Sequence, residues 1–443
     1  MKKLIRLFIT TIIILLLAGA CLLKRNDFTP LEQTQYYPAT MQALTALAPN
    51  KGYGKALKCG WAMENITPDF KVHVAGYGVR WKNYSGIHDS IFVRTLVFDN
   101  GLQKAALVSL DMMIVPPLVV DKVMPKLKKM GFSRAQVYFG ATHTHSSAGG
   151  WAKGLGGWAL AGPFNEEMIN KVADGIVNGI KRAQASSAKC TIGFEAINAA
   201  DLVSNRLFGD KFPEDPYLRV IKIEKANHES AMLLSYSAHA TCISKRDNLI
   251  SCDYPGMLVQ KLEKAGTCNF ATFFAGAVGS MRPVIDSLKG FPKAEALATK
   301  LQQRLSDHDS IKTDTTSFIS TAYLPLQLHE PQLRVNDEYR LRPWVFNALL
   351  GEQQIGMNRL QLGNIVLIGT PCDYSGEMVE LSEEVSTKTK RNLLITSFNG
   401  GYVGYITPDK YYDSVKAETR EMNWFGPHNG RYFSELVNGL ILK

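Results

Sequence analysis

His143-Thr144-His145 offers the clearest chemistry in this chain. In an extended segment, side chains two positions apart project to the same face, so both imidazoles can meet one centre. Neutral imidazole is a common zinc ligand, usually beside a carboxylate and an open position for water. A single histidine on a strand is ordinarily structural. A pair flanked by Thr142 and Ser146 and followed by Gly149-Gly150 sets a metal site beside that structural reading. His239 follows a second apolar run, and Asp373 and Tyr405 are candidate oxygen ligands. Asp373 also suits the cap of a following helix, and Tyr402 and Tyr405 also suit packed aromatics.

Such residues need elements that hold them, and five apolar runs each deliver one. The run 105–110 leads into Asp111, and 137–140 leads into Thr142, His143 and His145. The run 232–236 leads into Ser237 and His239, 365–368 into Thr370 and Asp373, and 393–396 into Asn399, Tyr402 and Tyr405. In α/β sheets ligands bind outside the carboxyl ends of strands, because strands fix geometry while the following loops stay free to carry chemistry. The apolar, β-rich runs predict strands at 94–98, 105–110, 136–140, 231–236, 365–369 and 393–397. Helical patterning predicts helices at 117–129, 165–185, 257–264, 292–306 and 375–388. The alternation predicts an α/β fold: a single large catalytic domain, a mixed β-sheet core flanked by helices, and a site at the carboxyl ends of strands.

Composition supports a globular chain. Hydrophobic residues make up 46% and charged residues 20% of 443, enough for a large core without staples. A net charge of +10 favours an anionic partner such as a membrane surface or nucleic acid. No helix-turn-helix, zinc-finger or RNA-binding sheet signature occurs, and no dense Lys/Arg run, so no nucleic-acid partner is expected. At the start, Lys2, Lys3 and Arg6 precede an apolar stretch at 7–23, followed by Lys24 and Arg25. This pattern reads as a signal peptide or a membrane anchor. Residues 17–21 (Leu-Ala-Gly-Ala-Cys) resemble a lipoprotein cleavage box with Cys21 as the lipidated residue. Either outcome makes the protein exported and places it in the cell envelope. The expected organisation is a leader at 1–23, a polar tether at 24–55 and a catalytic domain at 56–443. The other six cysteines are widely spaced with no CxxC, which argues against a cysteine zinc site. Export permits a disulfide, for example Cys242 with Cys252 or Cys268.

Several segments together resemble the catalytic domain of the neutral/alkaline ceramidase family. They are Ile66-Thr67-Pro68 with Ala75-Gly76-Tyr77-Gly78, then Gly86-Ile87-His88 leading to Arg94, then Thr142 to Ser146 with Gly149-Gly150. Asn205-Arg206, Ser237 to Thr241, Asp253 to Gly256, and Pro371-Cys372-Asp373 follow in the family's order. Asn399, Tyr402, Tyr405 and Thr407, with Gly426-Pro427-His428, match its closing segment. The resemblance implies one Zn2+ per chain held by His143, His239, Asp373 and Tyr405. It implies that His145 and Arg206 face a substrate amide. Arg206 would polarise the carbonyl oxygen, His145 would give a proton to the leaving amine, and zinc would activate water.

Three departures qualify the resemblance. Asp373 stands where the family has Glu, one methylene longer. Gly279-Ser280-Met281-Arg282-Pro283 replaces Gly-Asp-Val-Ser-Pro, so Ser280 and Arg282 stand where the family has a proposed base and a polar group. Asp111 or Asp253 is then the candidate base, and Arg282 either binds an anionic substrate group or pairs with a nearby carboxylate. The family's C-terminal β-sandwich domain is expected to be absent. Tyr402 and Trp151 are expected at the substrate. Trp151, Trp158 and Phe164 sit in and after a Gly-rich segment at 149–162, which reads as a mobile rim or as a plain loop with inward aromatics. The leading function is zinc-dependent hydrolysis of an amide in ceramide or a related N-acyl lipid. An envelope esterase or amidase on another substrate, and an inactive lipid- or glycan-binding protein, remain as alternatives.

Overall fold

The computed structural model describes residues 3–4, 6–8, 10–11, 19, 21–209, 213–308, 311–352 and 354–443. Two sheets stacked face to face form its core. The larger has eight strands, in the order Phe270–Ala275, Ser230–Tyr236, Tyr217–Lys225, Ala188–Asn198, Lys58–Asn65, Phe92–Asp99, Lys104–Leu110 and Val137–Ala141. Its outermost pair at each edge is parallel and the inner pairs are antiparallel. The smaller has five strands, in the order Asn50–Tyr53, Phe318–Pro325, Gly356–Leu362, Ile365–Gly369 and Asn392–Thr396, with only the last pair parallel.

Alternation along these strands sends one set of side chains between the sheets. Phe98, Leu107, Ile221 and Phe274 of the larger sheet share a buried cluster with Ile319, Leu360, Leu367 and Leu394 of the smaller. Each large side chain taken fully out of water contributes about 1.5–3 kcal/mol. Helices cover both outer faces. Glu166–Ala185 and Asp253–Lys264 lie on the larger sheet, and Val379–Lys388 and Asn429–Leu442 on the smaller. Glu166–Ala185 starts where the Asn165 side chain accepts from the Met168 N–H at 3.0 Å, and it buries Met168, Val172, Ile176 and Ile180 against the sheet.

The larger sheet curls until its opposite edges meet. Ser109 Oγ donates to the Phe273 carbonyl at 2.5 Å, and Arg94 Nη1 donates to the Ala271 carbonyl at 2.8 Å. The Ser397 N–H donates to Ala275 O at 2.9 Å, tying the smaller sheet to the same edge. This closure gathers at one pole the carboxyl ends of strands that lie far apart in sheet order.

The α/β architecture expected from the sequence is present. All six expected strands occur with ends shifted by at most two residues, and helix Pro117–Lys129 matches its expected limits. The segment 24–55 is not a loose tether. Leu23–Arg25 pairs antiparallel with Tyr339–Leu341, helix Tyr36–Ala46 buries Tyr36 and Leu44, and Asn50–Tyr53 is an edge strand of the smaller sheet. Apolar residues widely spaced among polar ones hide this packing from a composition reading. The Gly-rich segment is not a loop throughout, since Gly154–Ala161 is helical. All seven cysteines are free, so the disulfide that export would permit, such as Cys242 with Cys252 or Cys268, is not formed. Of the expected leader, residues 1–2, 5, 9, 12–18 and 20 lie outside the described residues. Among the described residues no helix is long and apolar enough to cross a membrane.

Candidate metal centre

Three imidazoles meet at the pole. His143 and His145 follow strand Val137–Ala141, and His239 follows strand Ser230–Tyr236. Their Nε2 atoms form a triangle with sides of 2.9, 3.0 and 3.0 Å. His143 Nδ1 donates to the Met113 carbonyl at 2.5 Å and His239 Nδ1 to the Val278 carbonyl at 3.1 Å. A neutral imidazole carries one N–H, so these two histidines turn bare Nε2 lone pairs inward. Burial pushes His143 down to about 3, and pushes His145 and His239 well below the ordinary histidine value. All three are therefore neutral. Lone pairs this close repel one another, and a cation at their apex removes that repulsion.

The pair does not converge by strand alternation, as the spacing had suggested. His143 adopts φ 62°, in the left-handed region, which kinks the chain between the two rings. Such a conformation in a non-glycine residue costs about 1–3 kcal/mol and needs support from its surroundings. Support is present: the His143 N–H donates to Met112 O at 3.0 Å, Thr144 Oγ1 donates to Ser251 O at 2.9 Å, and Phe398 stacks on the His143 ring at 4.0 Å. His145 differs from the other two: its Nδ1 makes no close hydrogen bond, and only the Gly76 backbone acts on it. Gly76 packs against it so closely that a Cβ there would lie 2.6 Å from the His145 Cα. Tyr77 lies against its ring at 4.9 Å, and Arg80 Nη2 donates to its carbonyl at 3.3 Å.

Asp373 and Tyr405 come from two short strands in direct register, Asp373–Tyr374 and Tyr405–Ile406. Asp373 Oδ2 accepts from the Tyr402 hydroxyl at 2.7 Å. Its Oδ1 is fully buried without a hydrogen bond, 3.5 Å from His143 Nε2 and 3.8 Å from His239 Nδ1. Burial raises this carboxyl to about 7, against the pull of Tyr402 and Arg206. An orphaned carboxylate oxygen beside the bare His143 Nε2 fits a metal ion, and the donor set of nitrogen and oxygen suits zinc. The strand carrying Asp373 runs close to Gly279, where a Cβ would lie 2.6 Å from the Asp373 carbonyl. Arg206 Nη2 donates to the Tyr405 hydroxyl at 3.1 Å and to Gly279 O at 2.9 Å, while Nε faces Glu418 at 3.2 Å. Burial pulls the Arg206 pKa down, but Tyr405, Glu418 and Asp373 outweigh it, so the guanidinium stays charged.

The remaining expected site residues divide. Tyr402 is in the centre, bound to Asp373 rather than poised for substrate alone. Trp151 is buried and lines a cavity of about 540 Å³ with Tyr402, Ile114, Leu160, Leu350 and Trp424. Ser280 is buried; its hydroxyl donates to Glu377 and accepts from the Gly376 N–H at 3.0 Å. Asp111 accepts from the Phe92 N–H at 3.0 Å, and Asp253 accepts from the Tyr254 N–H at 2.6 Å, so both carboxylates are engaged by backbone amides. Arg282 pairs with Asp286 at 3.3 Å, the second of the two arrangements its sequence allowed. Phe398, Glu418 and Glu377 were not singled out. Phe398 ends an apolar run and had a signal; Glu377, in the short 3-10 helix Gly376–Met378 just after Asp373, and Glu418, in a distant loop, had none.

The chain is similar to known proteins in both sequence and fold. Residues 58–284, just over half of it, match the family described as neutral/alkaline non-lysosomal ceramidase, N-terminal. The neutral ceramidase of Pseudomonas aeruginosa is 29% identical over 222 residues, covering 46% of this chain and 32% of that protein. The neutral ceramidase of Mycobacterium tuberculosis is 25% identical over 239 residues, covering 48% of this chain and 38% of that protein. The matched region is thus only about a third of these relatives' own length. The crystal structure of the Pseudomonas aeruginosa neutral ceramidase superposes with a TM-score of 0.74 at 16% identity, over 87% of this chain and 74% of that one. A ceramidase complexed with C2 gives the same TM-score, over 87% and 75%. At that identity the superposition speaks for the fold, and the family match speaks for descent: this chain belongs to the neutral/alkaline non-lysosomal ceramidase family.

Proposed function

We propose that this chain is a zinc-dependent hydrolase of an amide bond, acting on ceramide or a related N-acyl lipid. One observation carries the reading: three neutral imidazoles turn Nε2 atoms toward one point, 2.9–3.0 Å apart, beside the unpartnered Asp373 Oδ1. His143, His239, Asp373 and Tyr405 are the proposed ligands. Zinc, when bound, supplies Lewis-acid charge that activates water and polarises a carbonyl.

The chain's own residues do the rest. Met113 O and Val278 O hold the His143 and His239 rings in one tautomer. Arg206 keeps a fixed positive charge beside Tyr405, placed to receive charge that grows on the amide oxygen. His145, neutral at rest, would take a proton from the attacking water and pass it to the leaving amine nitrogen. Hydrolysis then leaves a carboxylic acid and an amine. The relatives named neutral ceramidase, and the ceramidase complexed with C2, support a lipid amide as substrate.

The apolar stretch at 7–23 between basic residues supports an exported, envelope-associated protein with a membrane surface as neighbour. Fractionation of the host cell tests this location; recovery in the cytosol would refute it. The function is tested by elemental analysis beside turnover of an N-acyl lipid, an ester and a short amide. About one zinc per chain and turnover of the lipid amide, abolished by chelator and restored by zinc, is expected. Zinc binding without turnover of any substrate would favour a binding protein, and turnover of esters alone would replace the amide with another bond.

A further inference from the structure

The candidate metal centre has an apolar approach. The cavity of about 540 Å³ runs between helix Gly154–Ala161 and helix Pro343–Leu350, and Tyr402, the partner of Asp373, is part of its lining. Large hydrophobic side chains stand exposed on and beside these walls. Leu155 is 71% exposed, Trp344 is 58% exposed, and Trp81 is 77% exposed with its ring 5.2 Å from that of Trp158. A soluble surface rarely holds such side chains together without a partner.

A second observation says what covers them. The apolar stretch at 7–23 joins the domain through Leu23–Arg25, which pairs antiparallel with Tyr339–Leu341. The Arg342 N–H donates to the Leu22 carbonyl at 2.9 Å. Arg342 immediately precedes helix Pro343–Leu350, so the apolar stretch leaves the domain beside Trp344. The segment best suited to hydrocarbon and the mouth of the cavity therefore share one element of the fold. Lys24, Arg25 and Lys153 flank them, the kind of residue that sits at the lipid headgroup level.

We infer that this face is a bilayer-docking surface, in which Leu22, Trp81, Leu155 and Trp344 enter the lipid interface and open the cavity directly onto it. The substrate then moves from the bilayer into the site without crossing water. Asp121 and Glu352 also line the cavity, so the contact is mainly apolar and does not require anionic lipid.

The first arm of the test is independent of catalysis. The full chain is reconstituted in phosphatidylcholine vesicles that carry dibrominated lipid, and tryptophan quenching is read. The double variant Trp81→Phe/Trp344→Phe is expected to lose most of the quenching. Trp61→Phe, at a ring clamped by Lys225 at 3.5 Å, is expected to keep it. Wild-type quenching retained in the double variant, or no quenching in the wild type, overturns the proposal. Sedimentation without lipid asks whether a second copy covers the face instead; a dimer that Trp344→Asp dissolves also overturns it. The second arm rests on the lipid-amide reading. Leu155→Asp/Trp344→Asp is expected to lower turnover of a vesicle-borne N-acyl lipid at least about tenfold, since two apolar side chains leave the interface, while a short soluble amide is unaffected. Equal losses on both substrates overturn the docking role. No turnover of either substrate in the wild type would end the lipid-amide reading and leave the quenching result to decide the surface.

Discussion

The floor and the mouth of the site are built by opposite rules. On the floor, each side chain follows a strand and is locked by a neighbour: His143 by Met113 O, His239 by Val278 O, and Asp373 by Tyr402. At the mouth, two eight-residue helices meet, and each ends on a glycine with positive φ, Gly162 and Gly351. Trp344 and Leu155 project from them into solvent. A metal centre would lose function if its ligands wandered, and the proposed one sits where two sheets leave little freedom. An entrance for a bulky apolar molecule must yield, and the proposed one is carried by two short helices. Substitutions on the floor should therefore act on metal and turnover, and those at the mouth on substrate capture.

The largest effect is expected from His143→Ala or His239→Ala. Either should empty the site, as read by elemental analysis, and lower amide turnover by about 10³-fold or more, since a Lewis acid supplies several kcal/mol. A variant that keeps both zinc and activity would show that the floor is structural. Tyr402→Phe comes next. It removes only the hydroxyl that orients Asp373, and loss of such an outer partner weakens metal affinity by about 10–100-fold. Competition with a chelator measures this, and an unchanged affinity would mean that Asp373 needs no orientation. Trp158→Ala, at the mouth, should raise KM for a lipid substrate a few-fold with kcat nearly unchanged, because one edge-to-face contact is worth about 0.5–1.5 kcal/mol. A matching rise for a short soluble amide would place Trp158 with the floor.

The same contrast governs what the sequence made legible. The floor strands are buried on both faces and read as unbroken apolar runs, such as Ile365–Gly369, so their limits and the polar residues after them were visible. Arg206, the partner of Tyr405, was visible only through family resemblance, because nothing local in the chain links residue 206 to residue 405. Ala188–Asn198 and Tyr217–Lys225 carry Lys189, Glu195, Arg219 and Lys222, which mask two of the longest strands. The kink at His143 was invisible as well. The i, i+2 spacing suggested alternation, whereas contacts with Met112, Ser251 and Phe398 impose a left-handed turn. The segment 24–55 was misread for the opposite reason: its few apolar residues, Leu31, Tyr36 and Leu44, pack into the core at wide spacing.

Asp111 gives the smallest effect expected on catalysis and isolates stability from chemistry on the floor. It follows the strand Lys104–Leu110, next to the strand that leads to His143, yet its carboxylate is turned to the Phe92 N–H. Burial raises it to about 7, with Arg94 opposing. The unfolded carboxyl titrates near 3.9, so the folded state prefers the protonated form. The stability this gives is fully present below the unfolded value and is lost as pH rises through about 7. Asp253, raised to about 6 by burial, acts with the same sign. Asp111→Asn keeps an oxygen for the Phe92 N–H and removes one titrating group. Its melting temperature should therefore fall less steeply than that of the wild type between pH 4.5 and 7.5, where Asp253 still titrates. Zinc content and kcat should stay within about twofold, because no ligand is touched. If the two melting profiles run parallel while turnover collapses, Asp111 belongs to the chemistry and the base missing from the Gly279–Pro283 segment has been found.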